Sequence, residues 1–150
     1  MSKPFRYTLD RRITNRILVW LLRIGKAPHI YYLLTVTGRK SGNPHSVPVV
    51  LIEDGGKRWL TAPYGEVDWV KNARASGIVT ISRQKWKQDF TIHQLSPEQA
   101  APLLKEYLQK FPITKPYFDA KEDSPISEFI KEAQTKPVFE LIKIEDIPVK

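Results

Sequence analysis

The chain contains no cysteine among its 150 residues, and this absence excludes disulfides, thiolate metal sites and cysteine nucleophiles. The same absence is typical of proteins in a reducing cytoplasm, which is the localisation we expect. Any redox chemistry would therefore have to come from a bound cofactor. Long hydrophobic runs are missing too, since no charge-free stretch reaches the ~20 residues that a membrane-spanning helix needs. The first residues also lack the apolar stretch of a secretory signal.

Histidine is scarce. His29, His45 and His93 lie far apart in the sequence and do not have the spacing of a metal site, so no metal is predicted. Taken with Ser41 and Ser46, they also show no spacing that indicates a hydrolytic triad.

The net charge is strongly positive. Lys and Arg number 24 against 16 Asp and Glu, which gives +8 at pH 7. Nucleic acid, an acidic membrane and a polyanionic cofactor are therefore all plausible classes of partner. With 41% hydrophobic residues and no linker, repeat or low-complexity tract, residues 1–150 are predicted to form one domain with a substantial core.

A basic turn bracketed by glycines is the most informative stretch. It lies within residues 36–48, between two apolar segments that have the composition of strands. Gly38 and Gly42 permit backbone conformations closed to residues with a Cβ, so the backbone amides can approach an anion while Arg39 and Lys40 supply charge. The alternative is an ordinary turn whose basic residues are simply solvated.

Six segments read as β-strands, and they do not alternate regularly with helices. This favours a mainly β, α+β fold built on a barrel over a doubly wound parallel sheet. Glu53-Asp54-Gly55-Gly56 predicts a tight hairpin between two of the strands. The segments are Ile30 to Thr37, Ser46 to Ile52, Lys57 to Ala62, Ile78 to Arg83, Trp86 to Gln94 and Val138 to Ile144.

Helices are predicted around these strands. One of them places Trp69 and Asn72 on the same side, because they are three residues apart. Another begins at a capping box, in which Ser96 is the N-cap and Gln99 the third helical residue. Residues 111–123, rich in proline and aromatics, are expected to form an ordered loop across the mouth of the barrel. The predicted helices cover residues 10–24, 67–75, 97–110 and 125–134.

The first helix, about residues 10–24, is amphipathic. Its apolar face can pack against the barrel or a partner subunit. Alternatively it can lie on an anionic membrane, since Trp and Leu beside arginines are typical of interfacial helices. The apolar residues are Ile13, Ile17, Trp20, Leu21 and Ile24, and the polar side carries Arg11, Arg12, Arg16 and Arg23.

Several segments, in their order and spacing, resemble the deazaflavin-dependent nitroreductase family. The match runs from about residue 30 to residue 95, and a later stretch is similar to one branch of the family. The segments are Leu33 to Gly42, Val47-Pro48, Glu53 to Gly56 and Trp69 to Ala75, then Pro116 to Ala120, Asp123 to Pro125 and Pro137 to Phe139.

The resemblance implies a split β-barrel of the FMN-binding kind, with the cofactor in a groove beside the barrel; related barrels are often homodimers. It further implies an oxidoreductase that uses coenzyme F-420, an 8-hydroxy-5-deazaflavin with a phosphate and an acidic tail. The reduced coenzyme would transfer hydride to a quinone, an enone or a nitro compound. FMN is the alternative cofactor.

On the matching positions, Arg39 and Lys40 would hold the phosphate and tail, with the backbone of Ser41 and Gly42 helping. His45 stands where relatives often carry arginine and is a further candidate. The resemblance completes the cofactor site with Val47, Pro48, Val49, Ala62, Pro63, Tyr64, Trp69 and Asn72.

Tyr117 and Tyr64 are the candidate catalytic residues. Tyr117 matches a family aromatic near the substrate opening and is a candidate for a substrate-side or proton-donating group, with solvent as the other source of the proton. Tyr64 could act as the polar aromatic at the ring, or it could simply pack. The chain departs from the family at Pro63-Tyr64 and at Val50, so the substrate class stays open.

Two other functions fit the same residues. A non-catalytic binder of deazaflavin, flavin or lipid would keep the basic turn and the groove but lack an acceptor pocket. A nucleic-acid binder is suggested by the charge and by a basic hairpin with Arg83, Lys85, Trp86 and Lys87. No nucleic-acid motif accompanies this hairpin, so nucleic acid is the less favoured partner.

Overall fold

The computed structural model describes residues 9–144, and its centre is one antiparallel seven-stranded sheet ordered β2-β1-β5-β6-β7-β4-β3. The edge strands β2 and β3 are consecutive in the sequence and are separated by Val50 alone, so the chain ties both edges together and the sheet curls into a split barrel. The strands are β1(Tyr32–Thr37), β2(Pro44–Val49), β3(Leu51–Asp54), β4(Lys57–Thr61), β5(Ile78–Arg83), β6(Trp86–Gln94) and β7(Val138–Lys143).

The mainly β fold predicted from the sequence is confirmed, and most strand boundaries agree within two residues. The predicted hairpin is present: Asp54 pairs with Lys57, and the two intervening glycines have φ of +57° and +81°, as a primed turn requires. The predicted strand 46–52 is instead divided at Val50, where the sheet turns its corner. Val50 is buried there with Ile52 and Tyr107.

The barrel interior is filled by large apolar side chains from facing strands. Leu34 and Val36 of β1, like Val79 and Ile81 of β5, alternate with less buried neighbours, as the two-residue period of a strand requires. Phe90 of β6 is fully buried among them. A second core lies between the later helices and β7, and it includes Leu104, Leu108, Phe129 and Val138.

In the part of the chain that the structure describes, four α-helices surround the sheet: α1(Leu9–Arg23), α2(Asp68–Ser76), α3(Pro97–Lys110) and α4(Ile126–Ala133). The capping box that starts α3 is formed as predicted, since Gln99 N donates to Ser96 Oγ at 3.2 Å and Ser96 N to Gln99 Oε1 at 3.1 Å. The ordered loop predicted after α3 contains a 3-10 helix, Pro112–Tyr117. No helix in residues 9–144 is long and apolar enough to cross a membrane.

Helix α1 does not bury its apolar face against its own barrel, which was one of the two orientations predicted. Ile13, Ile17 and Trp20 are 48%, 54% and 59% exposed. The helix instead turns Arg11 and Leu18 toward the barrel. Helical periodicity identified the residues that share a face, but the direction of that face depends on contacts with distant strands.

The basic hairpin between β5 and β6 is largely occupied by internal contacts. Trp86 packs edge-on against Tyr32, with ring centroids 5.9 Å apart, and lies under the Arg58 guanidinium at 5.4 Å. Arg83 stacks 3.9 Å over the Tyr32 ring and donates to its hydroxyl at 2.7 Å. Arg83 also donates to the carbonyl of His29. Of the four residues that suggested nucleic-acid binding, Arg83 and Trp86 therefore make contacts within the chain, whereas Lys85 and Lys87 are exposed.

A buried carboxylate fixes the loop that follows the 3-10 helix. Glu132 of α4 is 6% exposed, and its Oε1 accepts from the backbone N–H groups of Asp119 and Ala120 at 2.7 and 3.0 Å. Its Oε2 accepts from Lys136 Nζ at 2.7 Å. Lys136 in turn lies 5.0 Å above the Phe118 ring. One side chain therefore holds the loop adjoining Tyr117 against α4.

We expect Glu132→Ala to lower the free energy of unfolding by about 3–5 kcal/mol, because it leaves the buried Lys136 charge without its partner. Glu128→Ala on the same helix is the matched control, since its pair with Lys131 is exposed and 3.4 Å long and should contribute about 0–1 kcal/mol. Urea unfolding of both variants measures the difference. Equal losses would contradict the assigned role of Glu132.

Candidate functional site

A groove runs beside the barrel, between α1, β2 and the loop after α3. Its volume is about 250 Å³, just below the roughly 300–1,000 Å³ range of ligand pockets. Such a space suits a ring system better than a whole coenzyme. The groove is lined by Arg11, Thr14, Asn15, Leu18, Ile30, Tyr31, Val47, Pro48, Val49, Val50, Tyr64, Val67, Trp69, Tyr107, Phe111, Ile113 and Thr114.

The basic turn joins β1 to β2 and is tightly wound. Gly38 N donates to the carbonyl of Asn43 at 2.8 Å, and Gly42 N donates to the carbonyl of Gly38 at 2.9 Å. Gly42 has φ of +74°, a conformation that favours glycine. A Cβ on Gly38 would lie 2.7 Å from His45 Nε2. The turn therefore needs glycine at both positions, at Gly42 for its backbone and at Gly38 for the space that His45 fills.

Arg39 is oriented by helix α2. Asn72 Oδ1 accepts from the Arg39 backbone N–H at 3.0 Å and from Arg39 Nη1 at 2.7 Å. Arg39 Nη2 also donates to Asp68 Oδ1 at 3.4 Å, although the Asp68 side chain is 87% exposed. Asn72 is buried, so its amide oxygen fixes both the main chain and the guanidinium of this residue.

The turn and the groove meet on α2. Trp69, one turn before Asn72, lines the groove and packs against Phe139, with ring centroids 6.3 Å apart. Its position three residues from Asn72 puts both on one side of the helix, as predicted. A ligand in the groove could therefore extend past Trp69 toward the cations of the turn.

An aromatic and cationic cluster, made of Tyr64, Tyr117 and Arg11, borders the groove at Tyr64. The two tyrosine rings meet edge to face with centroids 5.0 Å apart. Arg11 Nη1 donates to the Tyr64 hydroxyl at 3.1 Å, and Arg11 Nη2 donates to the Tyr117 hydroxyl at 3.2 Å. Both candidate catalytic residues thus share one cation.

Tyr107 of α3 contributes a second polar aromatic to the groove wall. It is 7% exposed, and burial, together with nearby Tyr64 and Tyr31, raises the pKa of Tyr107 well above its usual range. Its phenol therefore stays neutral and gives up its proton only at very high pH.

The structure brings most of the predicted site residues together. Val47, Pro48, Val49, Tyr64 and Trp69 line the groove, while Arg39, Lys40, Ser41, Gly42 and His45 are in or beside the basic turn. Three predicted residues are buried instead. Asn72 holds Arg39, Ala62 packs with Val70 and Phe139, and Pro63 is covered.

Sequence reasoning missed much of the opposite groove wall. Tyr31, Tyr107 and Phe111 lie far apart in the chain and carry no local motif. Arg11 was assigned only to the polar side of its helix, with no role in the site. Spacing did contain a usable signal, since Arg11, Leu18 and Leu22 recur at helical intervals on one face.

The residues present fit a phosphorylated ring cofactor. The turn supplies cations and a glycine at Gly38 where a side chain would displace His45. The groove supplies an apolar slot lined by Trp69 and Tyr64, with Tyr117 packed against Tyr64. Fixed cations and backbone amides in such turns bind phosphate. Within residues 9–144 no cluster of His, Asp or Glu has the geometry of a metal site.

Comparison with known proteins gives a sequence match and several similar structures. A sequence model of the F420H(2)-dependent quinone reductase family matches residues 16–129. A solved F420-H2 dependent reductase (FDR-A) is 24% identical with a TM-score of 0.51, and the match covers 75% of this chain and 93% of that one. A domain-swapped dimer is 24% identical with a TM-score of 0.54, over 88% of this chain and 96% of that one.

A NimC/NimA family protein from Clostridium acetobutylicum is 14% identical with a TM-score of 0.50, over 84% of this chain and 77% of that one. At these identities the structural similarities establish the fold alone. The match to the family rests on the sequence model.

We expect Asn72→Ala to lower the free energy of unfolding by about 1–3 kcal/mol, because two donors of Arg39 lose their acceptor. Asp68→Ala is the control, since it removes only a long, exposed ion pair, worth about 0–1 kcal/mol. Urea unfolding measures both variants. A loss for Asp68→Ala as large as that for Asn72→Ala would show that Asn72 does not anchor the turn.

Proposed function

The chain belongs to the F420H(2)-dependent quinone reductase family, and on this premise we propose that its basic turn and groove bind coenzyme F-420 for the reduction of an apolar quinone. The activity of the family is hydride transfer from reduced coenzyme F-420 to an electron-poor small molecule, so the protein is an F-420-dependent oxidoreductase. The roles of individual residues and the choice of quinone are the parts that we propose.

The observation that carries this proposal is the link between Arg39 and Trp69 through α2. Asn72 orients the cation at hydrogen-bond distances of 3.0 and 2.7 Å, and the same helix presents Trp69 to the groove. A cofactor with a ring at one end and anionic groups at the other could place its ring in the groove beside Trp69 and its anionic groups against Arg39. Coenzyme F-420 has this form.

Lys40 supplies a second cation. It is exposed and forms no ion pair within residues 9–144, whereas Arg39 is hydrogen-bonded in place. We assign the phosphate to the oriented Arg39 side chain, because the N–H groups of Gly38, Arg39 and Gly42 already donate within the chain. We assign the acidic tail to Lys40, since a flexible ammonium suits a mobile chain of carboxylates. His45, packed against Gly38, borders the same surface.

When bound, the reduced coenzyme supplies a hydride. The protein contributes orientation and a partly dry groove, which are the main contributions expected of it. Val47, Pro48 and Val49 form one apolar wall, and Trp69 packs beside it. Tyr64 and Tyr117 stand where a phenol could pass a proton to the reduced acceptor.

The groove favours a quinone over smaller, more polar acceptors. Besides β2, apolar side chains from three other parts of the chain line it: Leu18, Ile30 and Ile113. Burying such surface stabilises an apolar ring or tail by ~25 cal/mol per Å². A quinone carbonyl could at the same time accept a hydrogen bond from a phenol at the groove end.

We expect coenzyme F-420 to bind in the micromolar range or tighter, and Arg39→Ala with Lys40→Ala to weaken binding by about 2 kcal/mol or more through lost charge-assisted bonds. Fluorescence titration of the parent, the double variant and Lys40→Ala alone measures this. Lys85→Ala with Lys87→Ala is the control, because it removes equal charge from the distant hairpin. FMN is titrated in parallel.

Three results would count against the assignment. Equal losses in the control would mean that net charge, not the turn, attracts the coenzyme. Tighter binding of FMN would overturn the cofactor choice for this chain. Tight coenzyme binding without oxidation of the reduced form by any quinone, enone or nitro compound would identify a non-catalytic binder.

A second candidate property comes from the exposed face of α1. We propose that this face, defined by Ile13, Ile17, Trp20 and Ile24, rests on an anionic lipid bilayer. The four side chains are 47–59% exposed, and Arg12, Arg16 and Arg23 flank them on one side. Apolar residues beside arginines are typical of helices that lie in the interface of acidic membranes. The protein would then associate peripherally with the membrane.

We expect the protein to sediment with phosphatidylserine-containing vesicles and not with pure phosphatidylcholine, since each basic residue at an anionic surface contributes about 1 kcal/mol. Ile17→Glu should weaken this binding at least about tenfold, because it replaces an apolar side chain that the bilayer would bury with a charged one. Ile126→Glu alters another exposed isoleucine and is the control. Self-association lost in Ile17→Glu, without lipid binding, would assign the face to a homodimer instead.

A further inference from the structure

The side chain of Arg11, on α1, contacts both members of the candidate catalytic pair. Its Nη1 and Nη2 donate to the hydroxyls of Tyr64 and Tyr117 at 3.1 and 3.2 Å. Its Cζ lies 5.1 Å from the centre of the Tyr64 ring and 5.9 Å from that of Tyr117. The guanidinium therefore bridges two residues separated by more than fifty positions in the sequence.

The direction of these hydrogen bonds carries chemical information. A guanidinium has donors and no acceptor, so both phenol oxygens accept in these contacts and neither directs its own O–H toward Arg11. A cation at this position also stabilises negative charge that develops on a phenol oxygen as its proton leaves. Such preorganised stabilisation is among the largest contributions to catalysis.

The geometry suits arginine specifically. The two receiving oxygens belong to rings packed edge to face at 5.0 Å, and a planar fork can direct one nitrogen at each. A lysine ammonium carries the charge at a single point and would hold the pair less rigidly. Burial opposes the charge, but contacts with Tyr64 and Tyr117 raise the pKa of Arg11 overall, which keeps it ionised.

We propose that Arg11 is a positioning residue for proton delivery, holding Tyr64 and Tyr117 at the groove end and stabilising the phenolate left when one of them protonates the reduced acceptor. This inference rests on the proposed function. The acceptor gains a hydride from the reduced coenzyme and a proton from the phenol. The phenol O–H bond breaks, a new O–H bond forms on the acceptor oxygen, and water returns a proton to the phenolate.

A simpler role has to be separated from this one. Arg11 also ties α1 to the rest of the chain, so its loss could impair activity merely by loosening the helix. Two measurements distinguish the roles, and one of them needs neither coenzyme nor acceptor.

The first measurement is made on the protein without coenzyme. Tyrosine is labelled with ¹³C at Cζ, and the Tyr64 and Tyr117 signals are assigned from their loss in Tyr64→Phe and Tyr117→Phe. In Arg11→Gln, which keeps both tyrosines, we expect the signals of Tyr64 and Tyr117 to shift. Arg23→Gln, on the same helix, should shift neither. Unchanged Tyr64 and Tyr117 resonances in Arg11→Gln would overturn the contact itself.

The second measurement is stopped-flow oxidation of the reduced coenzyme by a soluble quinone. We expect Arg11→Gln to slow turnover about 10- to 100-fold. This is less than the roughly 10²–10³-fold loss of rate on removing a donor that contacts a reacting oxyanion directly. We also expect the solvent deuterium isotope effect to increase. Coenzyme affinity should change less than about twofold, since the basic turn is intact. Arg11→Lys should restore part of the rate.

The decisive comparison places Arg11→Gln in a Tyr64→Phe, Tyr117→Phe background. If Arg11 acts through the phenols, it has little further effect there, because the effects of coupled residues are not additive. An equal slowing in both backgrounds would overturn the proposal and leave only helix anchoring. Failure of the parent chain to bind or oxidise the coenzyme would instead overturn the proposed function, while the resonance shifts would still report on the contact.

Discussion

Closure of the sheet through Val50 is the constraint on which the rest of the structure depends. The edge strands β2 and β3 pair with different neighbours but are joined by a single residue. The two edges must therefore lie close together, which requires the sheet to curl. The same corner presents Val47 to Val49 as a groove wall and buries Val50 against Tyr107. Pro44 and Pro48 lie on the β2 edge and remove backbone donors there, which limits pairing with another strand. The groove is therefore a consequence of closing the barrel.

A second level of organisation couples this groove to the basic turn. The link is Asn72, a buried amide whose side-chain oxygen accepts two hydrogen bonds from Arg39. The orientation of the Arg39 side chain therefore depends on the position of α2, which carries Asn72. The same helix places Trp69 in the groove wall. Glu132 acts similarly at the other side of the site, where it fixes the loop next to Tyr117. In both places a buried polar side chain, satisfied by several partners, orders a segment that would otherwise be a surface loop.

Local chemistry explains what could be predicted from the sequence. The Gly55-Gly56 hairpin, the capping box at Ser96 and the strand Trp86–Gln94 depend on neighbours within a few residues, and all are present. The division at Val50 and the orientation of α1 depend on contacts made after the sheet has closed, and no local pattern encodes them. The basic turn was recognisable, but the role of Asn72 as its anchor was not, since thirty-three positions separate it from Arg39.

The distribution of charge shows why net charge alone is a weak guide to function. Arg58 and Arg83 stack on aromatic rings of the same chain, so part of the +8 excess stabilises the fold. Lys40 is exposed on the turn, where an anion can approach. Arg11 combines the two situations, because two phenol hydroxyls accept its hydrogen bonds and its side chain also lines the groove. A cation's place in the fold, more than the total, determines whether it binds a ligand, assists a reaction or holds aromatic rings together.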